Sequence, residues 1–330
     1  MRRNRWHAIL FLLIMAVSLY TGCQGGQEYK SEIKGKLKAH WSQAGKALAN
    51  RWREWGEKLL PPRPEEENTK TPSPVKEEEV KEEKPVLEGI PKEGKYLVLG
   101  DSIAAHYGVA EEDSYYHKLG DLLNQNGGNW EGENWGVSGA TTLDLYNTIT
   151  EALKTPEKRA FLETADLIAI SIGGNDLLAL LSKNGVGLFD GKEKNWVGAI
   201  GAIREDMTRL TEEYKGEITS VVKALKEVNP RATILLQNIY NVAREVGGSI
   251  TLFGEEYTPS DLVAPLMAPL LKTLEETAKE AGYTVADTYS AFKNSTASPL
   301  LRKDFIHPNE EGHTLIAKVL YDTYLGKIGQ

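Results

Sequence analysis

The feature that most limits the fold is an alternation running through the last two thirds of the chain. Short apolar, strand-like runs recur at 96–99, 166–172, 232–239 and 283–286, with a weaker one at 130–135. Between and after them lie stretches whose apolar residues fall three and four apart, at 119–123, 143–153, 200–228 and 262–281, with a last helical pattern following Pro308. Strands covered on both faces read as nearly continuous apolar runs, and strand alternating with helix sets the strands parallel with helices on either side. The 41% hydrophobic content of the 330 residues is enough to fill such a core. The expectation is an α/β domain over 95–330, three layers deep, with a mainly parallel sheet. Ligands of such sheets bind beyond the carboxyl ends of the strands.

At one of those ends the run 96–99 breaks into Gly100-Asp101-Ser102. These residue types favour a turn, and Asp101 reads as the residue that holds it by bonding nearby backbone. The sharper reading is a nucleophile, which needs a base, an orienting acid and a pocket for an anion elsewhere in the chain. Three further stretches stand in suggestive places. "NWGVSGATT" (134–142) follows the weak second strand, "SIGGNDLL" (171–178) closes the third, and "DFIHPNEEGH" (304–313) precedes the final helix.

In that order and with those residues, the chain resembles the SGNH (GDSL-type) hydrolase superfamily from residue 95 to about 325. The resemblance implies a flavodoxin-like sheet of about five strands, with Ser102 as nucleophile, His307 as general base and Asp304 as the acid orienting it. It also implies an oxyanion hole made of the backbone N–H groups of Ser102 and Gly136 and the side-chain amide of Asn175. No metal or organic cofactor belongs to this scheme. The residue types suit these roles. A neutral imidazole can take the seryl proton, an amide is a neutral donor that waits for charge to develop, and a glycine keeps its N–H open to substrate. His106, His117 and His313 are rival bases, but none has an aspartate three residues before it. Gly173, Gly174 and Asp176 read as turn-formers around Asn175. There is no Gly-x-Ser-x-Gly elbow, no His-Glu-x-x-His zinc helix and no phosphate-binding glycine loop.

The implied activity is hydrolysis of carboxylic esters, lipid-like or short in the acyl part. The alternatives are O-acetyl esterase action on carbohydrate or cell-wall glycans and, in another class, a surface binding protein that kept the fold without turnover. Two inserts, 177–196 with Leu177, Leu178, Leu180, Leu181 and Phe189, and 241–260 with Ile250, Leu252, Phe253 and Tyr257, read as apolar lips favouring acyl chains. A net charge of -8 gives no footprint for nucleic acid.

The N-terminal third is of another kind. Residues 1–23 run from Arg2, Arg3 and Arg5 through an apolar stretch at 8–19 to Cys23, the single cysteine. Basic, apolar, then small is the order of an export signal. The segment resembles a bacterial lipoprotein signal with lipidation at Cys23, although Tyr20 stands where leucine is usual. Simple secretion is the alternative. Within 24–60, Ile33, Leu37, Trp41, Ala44, Leu48, Trp52, Trp55 and Leu59 fall on one helical stripe, and eight Lys or Arg stand against four Glu over 28–60. Such a helix can lie on a membrane surface, a partner or its own domain. Residues 61–94, rich in Pro, Glu and Lys, read as an extended disordered linker. The expected localisation is the outer face of a bacterial membrane, held by the Cys23 lipid and the 33–59 face.

Overall fold

The structure is a computed structural model that describes residues 91–183, 196–252 and 255–328. The export signal with Cys23, the amphipathic segment 24–60 and nearly all of the linker lie outside the described residues, as do Phe189 and Phe253.

Five strands form one parallel sheet in the order β2-β1-β3-β4-β7: β1 (Glu93–Gly100), β2 (Asn129–Asn134), β3 (Leu167–Ser171), β4 (Thr233–Gln237) and β7 (Thr284–Ala286). That order is the flavodoxin-like one, with the switch point between β1 and β3. The expected fold class is therefore the observed one. Centrally placed β1 and β3 carry the continuous apolar runs, with Leu97, Val98, Leu99 and residues 167–170 fully buried. β2 lies at the edge, and only Trp130 of its polar sequence NWEGEN is buried. β1 starts at Glu93, two residues inside the stretch read as linker, because Glu93 and Gly94 pair with Asn129 and Trp130 through backbone, which needs no apolar side chain.

Helices fill the intervals: α1 (Tyr115–Asn124), α2 (Thr142–Ala152), α3 (Pro156–Thr164), α4 (Gly174–Lys183), α5 (Trp196–Val228), α6 (Pro259–Ala281), α7 (Thr288–Asn294) and α8 (Glu310–Ile328). Their starts follow capping chemistry. Thr141 and Thr258 each build a reciprocal box with an aspartate three residues on, and the Asn309 side chain accepts the Gly312 N–H at 2.9 Å at the head of α8. One large core joins β1, β3 and β4 to α2, α5 and α6 through residues such as Ile149, Ile168, Val221 and Leu274.

The first insert differs in part from the reading as an apolar lip. The first begins as α4, and Leu177 and Leu180, one turn apart, point inward at 6% and 7% exposure. Four leucines in five residues serve a helix face as well as a lip, and the core took two of them. The second holds a short antiparallel hairpin, β5 (Ile250–Leu252) with β6 (Glu255–Tyr257).

Candidate active site

The carboxyl ends of β1, β2 and β3 deliver the first three motifs to one edge of the sheet, and the loop before α8 delivers the fourth. After Gly100 the chain winds tightly, the Ala105 N–H reaching the Asp101 carbonyl at 2.9 Å and the Tyr107 N–H the Ser102 carbonyl at 2.9 Å. Asp101 does hold this turn, its carboxylate accepting the Ile103 N–H at 3.0 Å. Burial pushes the Asp101 carboxyl up to about 7, against its backbone hydrogen bonds and helped by nearby Asp176.

Ser102 Oγ lies 2.9 Å from His307 Nε2, and His307 Nδ1 lies 3.0 Å from Asp304 Oδ2. Asp304 is fixed in turn, since its Oδ1 accepts the backbone N–H groups of Ile306 and His307, each at 3.0 Å. Burial acts to raise the Asp304 carboxyl, but those two N–H groups and the imidazole outweigh it and hold the carboxyl below its ordinary range. The loop is pinned from behind by the Tyr240 hydroxyl, which donates to the Ile306 carbonyl at 2.6 Å, and by Glu245, which accepts the N–H groups of Leu300 and Leu301.

The three rival histidines are employed elsewhere. His106 faces the Val109 carbonyl at 3.4 Å, and His117 reaches Asp121 on the surface of α1. His313 is fully buried and its Nδ1 accepts the Tyr115 N–H at 3.1 Å, which places its proton on Nε2. Burial holds it down to about 4.

The three oxyanion candidates are not equally free. The Ser102 N–H makes no hydrogen bond among the described residues. Asn175 Nδ2 donates one hydrogen to the Ala140 carbonyl at 2.8 Å, which orients the amide and leaves its second hydrogen available. The Gly136 N–H donates to Asn134 Oδ1 at 2.9 Å, so an incoming oxyanion has to share that hydrogen. Asn134 also donates to the Ala104 carbonyl at 2.8 Å, stitching the Gly136 loop to the nucleophile turn. Gly136 needs to be glycine for a reason beyond substrate access, because a Cβ there would sit 2.5 Å from the Ala105 nitrogen.

Two site features escaped the sequence reading. Asp176 reaches across to α2, accepting the Thr142 N–H at 3.2 Å, and so couples the start of α4, which carries Asn175, to the start of α2 instead of merely forming a turn. The large apolar residues exposed among the described ones are Tyr107, Val137, Leu143 and Tyr146, on or beside the loops that carry Ser102 and Gly136. A surface groove of about 640 Å³ runs from residues 137–140 along α2, lined among others by Asp144, Asn147, Glu151 and Lys158.

A serine, an imidazole and a carboxylate thus stand in hydrogen-bonded line at the switch point of a flavodoxin-like parallel sheet. Residues 98–315 match the GDSL-like Lipase/Acylhydrolase family, and the chain belongs to that family. The uncharacterized protein YpmR of Bacillus subtilis (strain 168) is 22% identical over 225 residues, covering 68% of this chain and 78% of that protein. Many solved structures share the fold, two lipases among them. The lipase Lip_vut3 from a goat rumen metagenome has a TM-score of 0.53 at 18% identity, over 71% of this chain and 99% of that one. The extracellular lipase of Streptomyces rimosus has a TM-score of 0.50 at 18% identity, over 70% and 99%.

Proposed function

We propose that the protein is an exported serine esterase, tethered to the outer face of a bacterial membrane through Cys23, that hydrolyses carboxylic esters by way of an acyl-enzyme. The observation that carries the chemistry is the unbroken line from Ser102 Oγ through His307 to Asp304, with separations of 2.9 and 3.0 Å. As Oγ attacks the ester carbonyl carbon, its proton passes to His307 Nε2, while Asp304 on Nδ1 keeps the ring in the tautomer that can receive it. The carbonyl oxygen becomes an oxyanion facing the Ser102 N–H, the free hydrogen of Asn175 and the shared N–H of Gly136. The C–O bond to the alcohol then breaks and the leaving oxygen takes the proton from Nε2. Water, deprotonated by the same imidazole, attacks the acyl-enzyme, and the acid leaves as Oγ regains its proton.

Lipid-like or short acyl groups suit the exposed apolar residues Val137, Leu143 and Tyr146. The two lipases of similar fold support this reading. The groove along α2 favours a second one, since carboxylates, an amide and an ammonium are what a carbohydrate alcohol would meet. Nitrophenyl esters of graded acyl length, assayed beside acetylated sugars, separate the two. Turnover that rises with chain length supports the lipid ester, and preference for acetylated sugars supports the glycan.

A further inference from the structure

Tyr107 is the most conspicuous residue of the site that the chemistry above leaves without a task. It is 53% exposed, yet its ring lies 4.6 Å from the His307 ring, centroid to centroid, tilted by 43°. The tight winding after Ser102 carries it there, through the Tyr107 N–H on the Ser102 carbonyl. Arg302 locks the arrangement from the other side. Its backbone N–H donates to the His307 carbonyl at 2.8 Å, its Nη1 donates to the Tyr107 carbonyl at 3.3 Å, and its guanidinium lies 6.0 Å from the Tyr107 ring centroid. The neighbour Gly108 makes room for that guanidinium, since a Cβ there would fall on Nη1, 0.8 Å away.

We propose that Tyr107, seated by Arg302, is a positioning residue for His307: it covers one face of the imidazole and holds Nε2 on the line to Ser102. The proposal rests on the serine hydrolase reading of the site. Asp304 grips His307 at one nitrogen, which leaves the ring free to swing about that bond. A tilted ring packed 4.6 Å from it removes the freedom. Arg302 bonds the loop of the base to the loop of the nucleophile, two segments separated by about two hundred residues of chain. The 2.9 Å contact is then set by a clamp and not by the imidazole alone.

Steady-state hydrolysis of nitrophenyl acetate by wild type, Tyr107→Phe, Tyr107→Ala and Arg302→Gln tests this, with thermal unfolding as the check on folding. Tyr107→Phe keeps the ring and should retain kcat within about twofold. Tyr107→Ala should lower kcat by roughly tenfold to a hundredfold, the scale of an ångström of misplacement, with little change in KM, and Arg302→Gln should fall between. The rate at which a fluorophosphonate labels Ser102 should drop in parallel, because that reaction needs the same proton transfer. A raised KM at unchanged kcat would make Tyr107 a wall for substrate, and a Phe variant as slow as the Ala variant would assign the effect to the hydroxyl. Either result overturns the proposal, as do unchanged rates. Labelling of wild type at a serine other than Ser102 would instead remove the reading beneath it, and with it this role for Tyr107.

Discussion

At the scale of single residues, the proposed oxyanion hole is where small differences in engagement should decide rate. Asn175 is held by the Ala140 carbonyl and presents one free hydrogen, whereas the Gly136 N–H is already shared with Asn134. Preorganised donors are worth about 10² to 10³ each in turnover. Asn175→Ala should therefore lower kcat by about that factor with KM little changed, as steady-state kinetics on a short ester will show. A large rise in KM at constant kcat would place Asn175 in ground-state binding instead. His106 offers a second check. It sits at φ 45 in the nucleophile turn, a left-handed backbone that costs a side chain on the order of 1 kcal/mol. Glycine relieves that strain but adds entropy to the unfolded chain, so His106→Gly should stay within about 1 kcal/mol of wild type in urea unfolding, while β-branched His106→Val should lose more. Both should still hydrolyse esters, since His307 and not His106 meets Ser102.

At the scale of elements, β1 and α8 bring buried titratable groups into the domain with opposite consequences for pH. Asp101, at the end of β1, is raised to about 7 by burial, above its unfolded value near 3.9, so the stability it contributes is complete below about pH 4 and lost as pH rises through 7. His313, on α8, is lowered to about 4 from near 6.5, so its contribution is present above about pH 6.5 and lost as pH falls toward 4. The two slopes oppose each other over pH 4 to 6.5. Relative to wild type, Asp101→Asn should fare better at pH 8 than at pH 5 by ~2 to 3 kcal/mol, and the deficit of His313→Gln at pH 8 should shrink by ~2 kcal/mol at pH 5. Denaturant unfolding at the two pH values measures both. The same elements show what a sequence discloses. β1 and β3 were legible because both faces are buried and their apolar runs are unbroken. β2 was faint because an edge strand needs only backbone pairing, and α3 passed unread because Phe161 and Leu162 are its only buried residues. Ser102, Asp304 and His307 stood out because each lies in a short motif, Gly100-Asp101-Ser102 or Asp304-x-x-His307, whose order along the chain resembles the family's. Tyr107 meets Arg302 across most of the domain's length, and Asp176 meets Thr142 thirty-four residues back, and no local pattern records such contacts.

At the scale of the molecule, we expect the hydrolase domain to fold alone. Its first strand is paired along its length, and the Pro91 carbonyl accepts Trp130 Nε1 at 3.0 Å. A chain comprising residues 91–330 should melt within a few degrees of the full-length protein and keep its esterase activity. A marked loss of thermal stability would mean that the segment 24–60 packs on the domain. Cys23→Ser should release the protein from membranes, or leave it held weakly by the 33–59 face, in fractionation of cells at low and high salt. Undiminished, salt-insensitive attachment would exclude the lipid anchor. Everything proposed for the catalytic domain depends on Ser102 being the atom that attacks, and covalent labelling reads this most directly. Wild-type protein treated with a fluorophosphonate and mapped by peptide mass should carry one adduct, on Ser102. Ser102→Ala should remain folded, as removal of one hydroxyl from a turn costs no more than about 2 kcal/mol, but should neither label nor hydrolyse esters. An adduct on another serine, or substantial hydrolysis by Ser102→Ala, would contradict the account and return Gly100-Asp101-Ser102 to the role of a turn.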